Sequence, residues 1–256
     1  MIRKLLLPAA LALAAVLICS GWKGSLDSGS LGGLYLQAAP AARFTEELNE
    51  EFSYEWSVMT SHPFIVKAGA NEIELETFAN WLQQDYLYVQ GASKFLGLLI
   101  AKAPDHLAQP LGHAVATLNK ELELFEEMAA DLGVGLDDLS MSPTCYHYLQ
   151  FLYSIGYSES FACGFAVLYG LEKAYLDSWL VVKENLDEDV PWQEFIDQWT
   201  NEGFQGWVGF LGDELDDLAE GASDSERQRM KELYLTTIRY EYLFWDLALY
   251  GEDWPL

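Results

Sequence analysis

Ser158–Trp179 reads SESFACGFAVLYGLEKAYLDSW, and within it Phe161, Phe165, Leu168, Tyr175, Leu176 and Trp179 recur at intervals of three and four. That spacing is the stripe of a helix laid against a core, because residues three and four apart share one helical face. Glu172 falls on the same stripe. A carboxyl group on a core face must be paired, hydrogen-bonded or protonated, since burying a bare charge costs far more than one side chain contributes elsewhere. Glu172 therefore either serves a structural neighbour or marks a polar site inside the core.

Working outward, the helical period continues almost without interruption. Phe44, Leu48, Phe52, Trp56 and Met59 predict a first helix that stops before Ser61-His62-Pro63, because the residue preceding proline is driven out of the helical region. A second is expected from about Leu75 to Ala101, and a third from about Pro104 to Leu132, ending at the loop GVGLDD. Further helices are expected near Thr144–Ile155, Ser158–Glu184, Pro191–Leu218 and Ser223–Tyr250, the last opened by a capping box of Ser223 and Glu226. Alternating strand patterns are absent. The expectation is an all-α bundle of about seven or eight helices.

Two of these helices repeat the anomaly of Glu172. Asp85 interrupts the stripe formed by Phe78, Trp81, Leu82, Tyr88 and Val89, and Glu241 interrupts that of Tyr234, Ile238, Trp245 and Ala248. Three acids on three core faces, amid Tyr86, Tyr88, Tyr146, Tyr148, Tyr175, Trp199, Tyr240, Tyr242 and Phe244, suggest an aromatic pocket with a polar floor. For any one aromatic residue, core packing is the commoner role.

Composition limits the partners. The 256 residues carry 14 Lys and Arg against 40 Asp and Glu, a net charge of −26 that repels phosphate backbones and anionic membrane surfaces, so nucleic acid is excluded as a partner. Cys19, Cys145 and Cys163 lack metal-binding spacing, and His62, His106, His113 and His147 form no ligand pattern, so neither metal nor cofactor is expected. At the N-terminus, Arg3 and Lys4 precede an apolar run from Leu5 to Cys19, too short for a membrane span. Residues 1–42 read as a targeting leader and linker for an organelle or the secretory pathway, with an uncleaved signal anchor as the competing reading, and residues 43–256 read as the folded domain. The mature form is expected to be free of the membrane.

Carboxylates facing an aromatic slot complement a flat, nitrogen-rich ring. They can pair with the amidine-like edge of an aminopyrimidine and, with pKa raised by desolvation, move protons near neutral pH. The runs His62-Pro63-Phe64, Gln84-Asp85-Tyr86-Leu87-Tyr88, Ser142-Pro143-Thr144-Cys145-Tyr146-His147-Tyr148 and Tyr240-Glu241-Tyr242-Leu243-Phe244-Trp245 resemble, in order and spacing, the TenA (thiaminase-II-like) family. The resemblance covers about Phe44 to Tyr250. It implies a haem-oxygenase-like helical fold, hydrolysis of aminopyrimidines in thiamin salvage, and a homo-oligomer. It also implies that Asp85 binds the pyrimidine edge, that Tyr88 and Tyr148 line the ring site, and that Glu241 beside Phe244 is the catalytic acid and base.

The chain departs from the family pattern at the nucleophile. Typical members have a cysteine four residues before a tyrosine, in a run like L-P-C-x-W-x-Y, whereas Leu171 occupies that slot here, followed by Glu172 and then Tyr175. This resembles the subgroup that lacks the cysteine and has a glutamate in the region (TenA-E type), and Trp199 in place of a tyrosine fits it too. Loss of the thiolate puts thiamin cleavage in doubt. The expected function is hydrolysis of aminomethyl- or formylaminomethyl-pyrimidine toward hydroxymethylpyrimidine by Glu241, Glu172 and Asp85, with Tyr88, Tyr148, Tyr175, Trp199 and Phe244 around the substrate. The alternative is a pyrimidine- or thiamin-binding carrier that has lost the chemistry. A haem protein is disfavoured, because fold does not fix function and no histidine opens the first helix.

Overall fold

A computed structural model describes residues 42–186 and 189–256; the expected leader lies outside them. The described residues contain ten helices: α1 (Phe44–Glu51), α2 (Ser53–Thr60), α3 (Pro63–Gly69), α4 (Leu75–Ile100), α5 (Asp105–Leu132), α6 (Pro143–Ser158), α7 (Phe161–Asn185), α8 (Gln193–Thr200), α9 (Glu202–Glu220) and α10 (Asp224–Tyr250). No strand occurs among them.

Local capping explains why there are more elements than the apolar spacing suggests. The expected helix over 191–218 is divided because Asn201 leaves helical geometry (φ −71°, ψ 161°) and its side-chain oxygen accepts from Phe204 N at 2.9 Å, starting α9 afresh. The expected first helix is divided at Phe52 (φ −109°, ψ 21°). Pro63 then opens the short α3, with His62 Nδ1 accepting from Phe64 N at 3.1 Å. Ser142 and Ser160 cap α6 and α7 in the same way, accepting from Cys145 N and Cys163 N at 3.2 Å. At Ser223 the cap on Glu226 N is formed at 3.3 Å, while the reciprocal half of the expected box is not. The GVGLDD loop begins at Gly133, whose φ of 69° ends α5 in the left-handed conformation.

α7 is the central element. It packs against α10, α9, α3 and α8, while α4 packs against α5, α6 and α10. Phe165, Leu168, Leu176 and Trp179 of its predicted stripe are buried, and the Trp179 ring lies 5.3 Å from Trp81 of α4 and 5.5 Å from Trp199 of α8. These indoles bring α4, α7 and α8 to one aromatic centre, and Trp245 of α10 stacks on Phe64 of α3 at 5.4 Å. No helix among the described residues is long and apolar enough to cross a membrane.

The seam between α4 and α6 depends on close approach. A Cβ on Gly156 would stand 2.9 Å from Leu98 Cβ and 2.7 Å from its Cδ1, whereas one on Gly97 would meet nothing within 4 Å. Gly156→Ala should therefore destabilise the protein by about 1–3 kcal/mol through overpacking. Gly97→Ala should stabilise it by up to about 1 kcal/mol through helix propensity. Chemical denaturation of the two variants beside the parent protein checks the pair of opposite signs.

Candidate active site

Four acids from four long helices meet in the interior: Asp85 of α4, Glu121 of α5, Glu172 of α7 and Glu241 of α10. Asp85 and Glu241 are each only 1% exposed. The Tyr175 hydroxyl donates to Asp85 Oδ1 at 2.6 Å, and the Tyr148 hydroxyl donates to Glu241 Oε1 at 2.5 Å. The second oxygens, Asp85 Oδ2 and Glu241 Oε2, are buried without a hydrogen-bond partner. Core indoles of Trp81, Trp179, Trp192 and Trp245 are also unpaired among the described residues, and what distinguishes these two atoms is that both belong to carboxyl groups close enough for the charge of Asp85 to act on Glu241, which leaves two acceptors open to a polar ligand at one place.

Glu121 and Glu172 retain some accessible area and yet are as strongly desolvated as the other two. Trp199 donates its indole N–H to Glu121 Oε1 at 3.1 Å, and the Trp207 indole of α9 faces Glu172. Among the described residues none of the four acids has a Lys, Arg or His as an ion-pair partner; Lys173, next in sequence to Glu172, instead pairs with Asp177 and lies over the Trp56 ring.

Desolvation without a cation has one consequence for all four. Burial raises Asp85 to about 7 against the hydrogen bond from Tyr175, and raises Glu172 to about 7 against Trp207. Glu241 rises to about 8, mainly by burial, with Tyr148 opposing and Asp85 and Glu172 adding repulsion. Glu121 also rises to about 8, by burial and then by the charges of Asp85 and Glu172. Carboxyl groups poised in this range can hold or release a proton at neutral pH.

The aromatic residues around the acids form two groups. Tyr88, one turn after Asp85 on α4, lies 5.0 Å from Tyr148 and 5.5 Å from Phe244. Its buried hydroxyl has no partner in hydrogen-bonding geometry, although it is close enough to Tyr148 for the two to interact. Tyr148 stacks on Tyr240 at 4.9 Å, and Tyr175 makes an edge contact with Trp199 at 5.4 Å. Asp85, Tyr175 and Trp199 thus form one linked set and Tyr88, Tyr148, Glu241 and Phe244 another, and the two are brought together electrostatically, since Asp85 and Glu241 both act on Tyr88 and Glu172 acts on Glu241.

The sequence reading missed Glu121 and Trp207. Glu121 carried the signal used for the other acids, since it stands three residues after Leu118 and four before the buried Phe125 on the α5 stripe. Trp207 gave no such signal. Cys145 lies on α6 one turn before Tyr148, with its thiol donating to the Gln84 carbonyl at 3.5 Å. Burial, Asp85 and Glu252 push that thiol far above its ordinary value, which suppresses the nucleophilic thiolate. Cys163, at the start of α7, is also raised by burial and lies among Glu159, Glu226 and Arg229. Two surface depressions, of about 460 and 420 Å³, lie apart from the four acids: one is lined by Gln84, Ser140 and Glu252, the other by Arg43, Lys173 and Asp213.

Comparison with known proteins agrees with this arrangement of helices. The chain is 28% identical to an aminopyrimidine aminohydrolase of Helicobacter pylori over 204 residues, spanning 75% of this chain and 92% of that one. Among solved structures, a TenA homologue from Pyrococcus furiosus superposes with a TM-score of 0.78 at 37% identity, covering 80% of this chain and 99% of the other. A domain with a heme oxygenase-like fold from Shewanella denitrificans gives a TM-score of 0.65 at 14% identity, over 80% and 91% of the two chains, and so shares the fold. Residues 51–251 match the TENA/THI-4/PQQC family, and the chain belongs to that family.

Proposed function

We propose that the protein is a hydrolase of thiamin salvage that cleaves the C–N bond of an aminomethyl- or formylaminomethyl-pyrimidine without a cysteine nucleophile. The observation that carries this reading is the pair of orphaned oxygens, Asp85 Oδ2 and Glu241 Oε2, buried at one place. The similarity to an aminopyrimidine aminohydrolase supports the substrate class. Leu171, in the slot where the family's nucleophile is expected, cannot attack carbon.

Each residue then has a physical task. Tyr175 fixes one oxygen of Asp85, so the other is free to meet the amino group and ring nitrogen of the pyrimidine edge. A carboxyl with pKa about 7 suits that edge, because it can share a proton with the ring nitrogen while accepting from the amino group. Tyr88, Tyr148, Trp199 and Phe244 supply ring faces that hold the heterocycle and exclude water. Tyr148 orients Glu241, whose pKa of about 8 leaves it protonated at neutral pH. In that state it keeps the departing nitrogen protonated, and as the carboxylate it takes a proton from the attacking water. With the aminomethyl compound, water adds to the methylene carbon as ammonia leaves, giving hydroxymethylpyrimidine. Glu172 is the second acid available to orient that water.

Incubating the purified protein with the aminomethyl- and formylaminomethyl-pyrimidines and following hydroxymethylpyrimidine tests the reading directly; formation of no product from either would reject it. Glu241→Gln preserves shape but removes the titrating group, and should lower turnover by about two to four orders of magnitude while the fold is kept. A Cys145→Ser, Cys163→Ser double variant should retain most activity, whereas Glu172→Gln should lose most of it; an inactive thiol-free protein would indicate covalent chemistry.

The same acids predict how stability varies with pH. Their folded pKa values lie above the unfolded value of about 4, so the native state binds the extra protons. That contribution is fully present below the unfolded pKa and is lost as pH rises through about 7 to 8. Between pH 6 and pH 9 the parent should lose melting temperature faster than Glu241→Gln, which lacks one of the titrating groups. Parallel melting curves for the two proteins would contradict the assignment of a raised pKa to Glu241.

A further inference from the structure

Helix α6 carries Tyr148 to Glu241, and its first turn is capped in part from outside. The first N–H groups of any α-helix lack intrahelical acceptors and must find others. At α6 each is accounted for. Ser142 N donates to Gln84 Oε1 at 2.9 Å, Pro143 has no N–H, Cys145 N donates to the Ser142 hydroxyl at 3.2 Å, and Thr144 N donates to the Glu252 carboxylate at 2.8 Å. The first turn of α6 has no acid of its own, so Glu252 is also the charge that answers the positive end of this helix. It comes from just beyond α10, the helix of Glu241: Tyr250 ends α10, Gly251 turns the chain at a φ of 68°, and Glu252 and Trp254 then reach the start of α6. The Trp254 indole donates to the Met141 carbonyl at 2.9 Å, and its ring lies 5.9 Å from both Tyr146 and His147.

We propose that Glu252 is a positioning residue for the reaction, which holds the first turn of α6 so that the Tyr148 hydroxyl stays on Glu241. The inference rests on the acid and base role given to Glu241. Thr144 opens the turn that closes at Tyr148, because in an α-helix each carbonyl accepts from the N–H four residues later. Gln84 and Ser142 meet the neighbouring N–H groups, and Thr144 is left to Glu252. A first turn that loses both an acceptor and its favourable charge frays, and a loosened turn here carries Tyr148 with it. Glu241 is sensitive to that movement. Its Oε1 accepts from Tyr148 at 2.5 Å and its Oε2 has no partner, so the direction of the carboxyl depends on Tyr148, while Asp85 and Glu172 repel it without orienting it. Glu252 itself is exposed, and removing it leaves the core untouched.

The test is a cycle of four proteins, the parent, Glu252→Ala, Tyr148→Phe and the double variant, with circular dichroism confirming the fold of each. On the aminomethyl-pyrimidine, Glu252→Ala should lower kcat by about fivefold or more while changing KM by less than about twofold. In the Tyr148→Phe background the same substitution should change kcat by less than about twofold, because its effect has no route left. Glu252→Gln, which keeps an acceptor oxygen, should recover part of the loss. An unchanged kcat in Glu252→Ala would overturn the proposal, and so would an equal fall in both backgrounds, which is what a purely structural role gives. The titration of Glu241, read by carboxyl-carbon NMR, needs no turnover. The bond from Tyr148 opposes the upward shift that burial causes, so Glu252→Ala should move that titration further up, as should Tyr148→Phe. If the parent turns over neither pyrimidine, the hydrolase reading fails, and this titration decides the role of Glu252 alone: a Glu241 titration unmoved by Glu252→Ala overturns it.

Discussion

Withdrawing water from four carboxyl groups at one place is the constraint on which the rest of this protein turns. Asp85, Glu121, Glu172 and Glu241 come from four different helices and have no cationic partner among the described residues, so the fold can hold them together only by keeping them largely neutral. Hydrogen bonds from Tyr175, Tyr148 and Trp199 take one oxygen each on three of them. This is an expensive way to build a core, and replacing the acids by apolar residues would make a more stable helix bundle. A site that spends stability in this way is one whose chemistry needs proton-bearing groups in a dry enclosure.

The surrounding architecture serves to keep that arrangement fixed. Trp81, Trp179 and Trp199 are buried and stacked or crossed at 5.3–5.7 Å, so α4, α7 and α8 cannot slide independently. Trp199 serves twice, packing on Phe195 at 5.2 Å on one side and holding Glu121 through its indole N–H on the other. Its position depends in turn on Asn201, which ends α8 two residues later and starts α9, the helix that carries Trp207 to Glu172. A break in the helix pattern thus brings a second indole donor to the acid cluster.

Much of this was legible in the sequence because a buried acid leaves a mark in an amphipathic pattern. Asp85, Glu172 and Glu241 stand where apolar residues are due, and the all-α class follows from the same periodicity. Glu121 carries the same mark between Leu118 and Phe125, but it sits among Lys120, Glu123, Glu126 and Glu127, where one more charge resembles the solvated face. The breaks at Phe52 and Asn201 were hidden for a different reason. Apolar spacing runs on across them, and only the cap at Asn201, a local hydrogen bond, shows that the backbone has turned. Which oxygens are left without partners is a property of packing among distant helices and has no counterpart in the sequence.

The central claim is that the enclosed carboxyls titrate near neutral pH instead of near 4, and carboxyl-carbon NMR of the protein labelled at Asp and Glu measures this directly. With Asp85→Asn and Glu241→Gln used to assign the signals, the two groups should titrate at about 7 and about 8, and both should shift when an aminopyrimidine binds. Titration of both near 4, the ordinary carboxylate value, would mean that water reaches the acids, and would contradict the account.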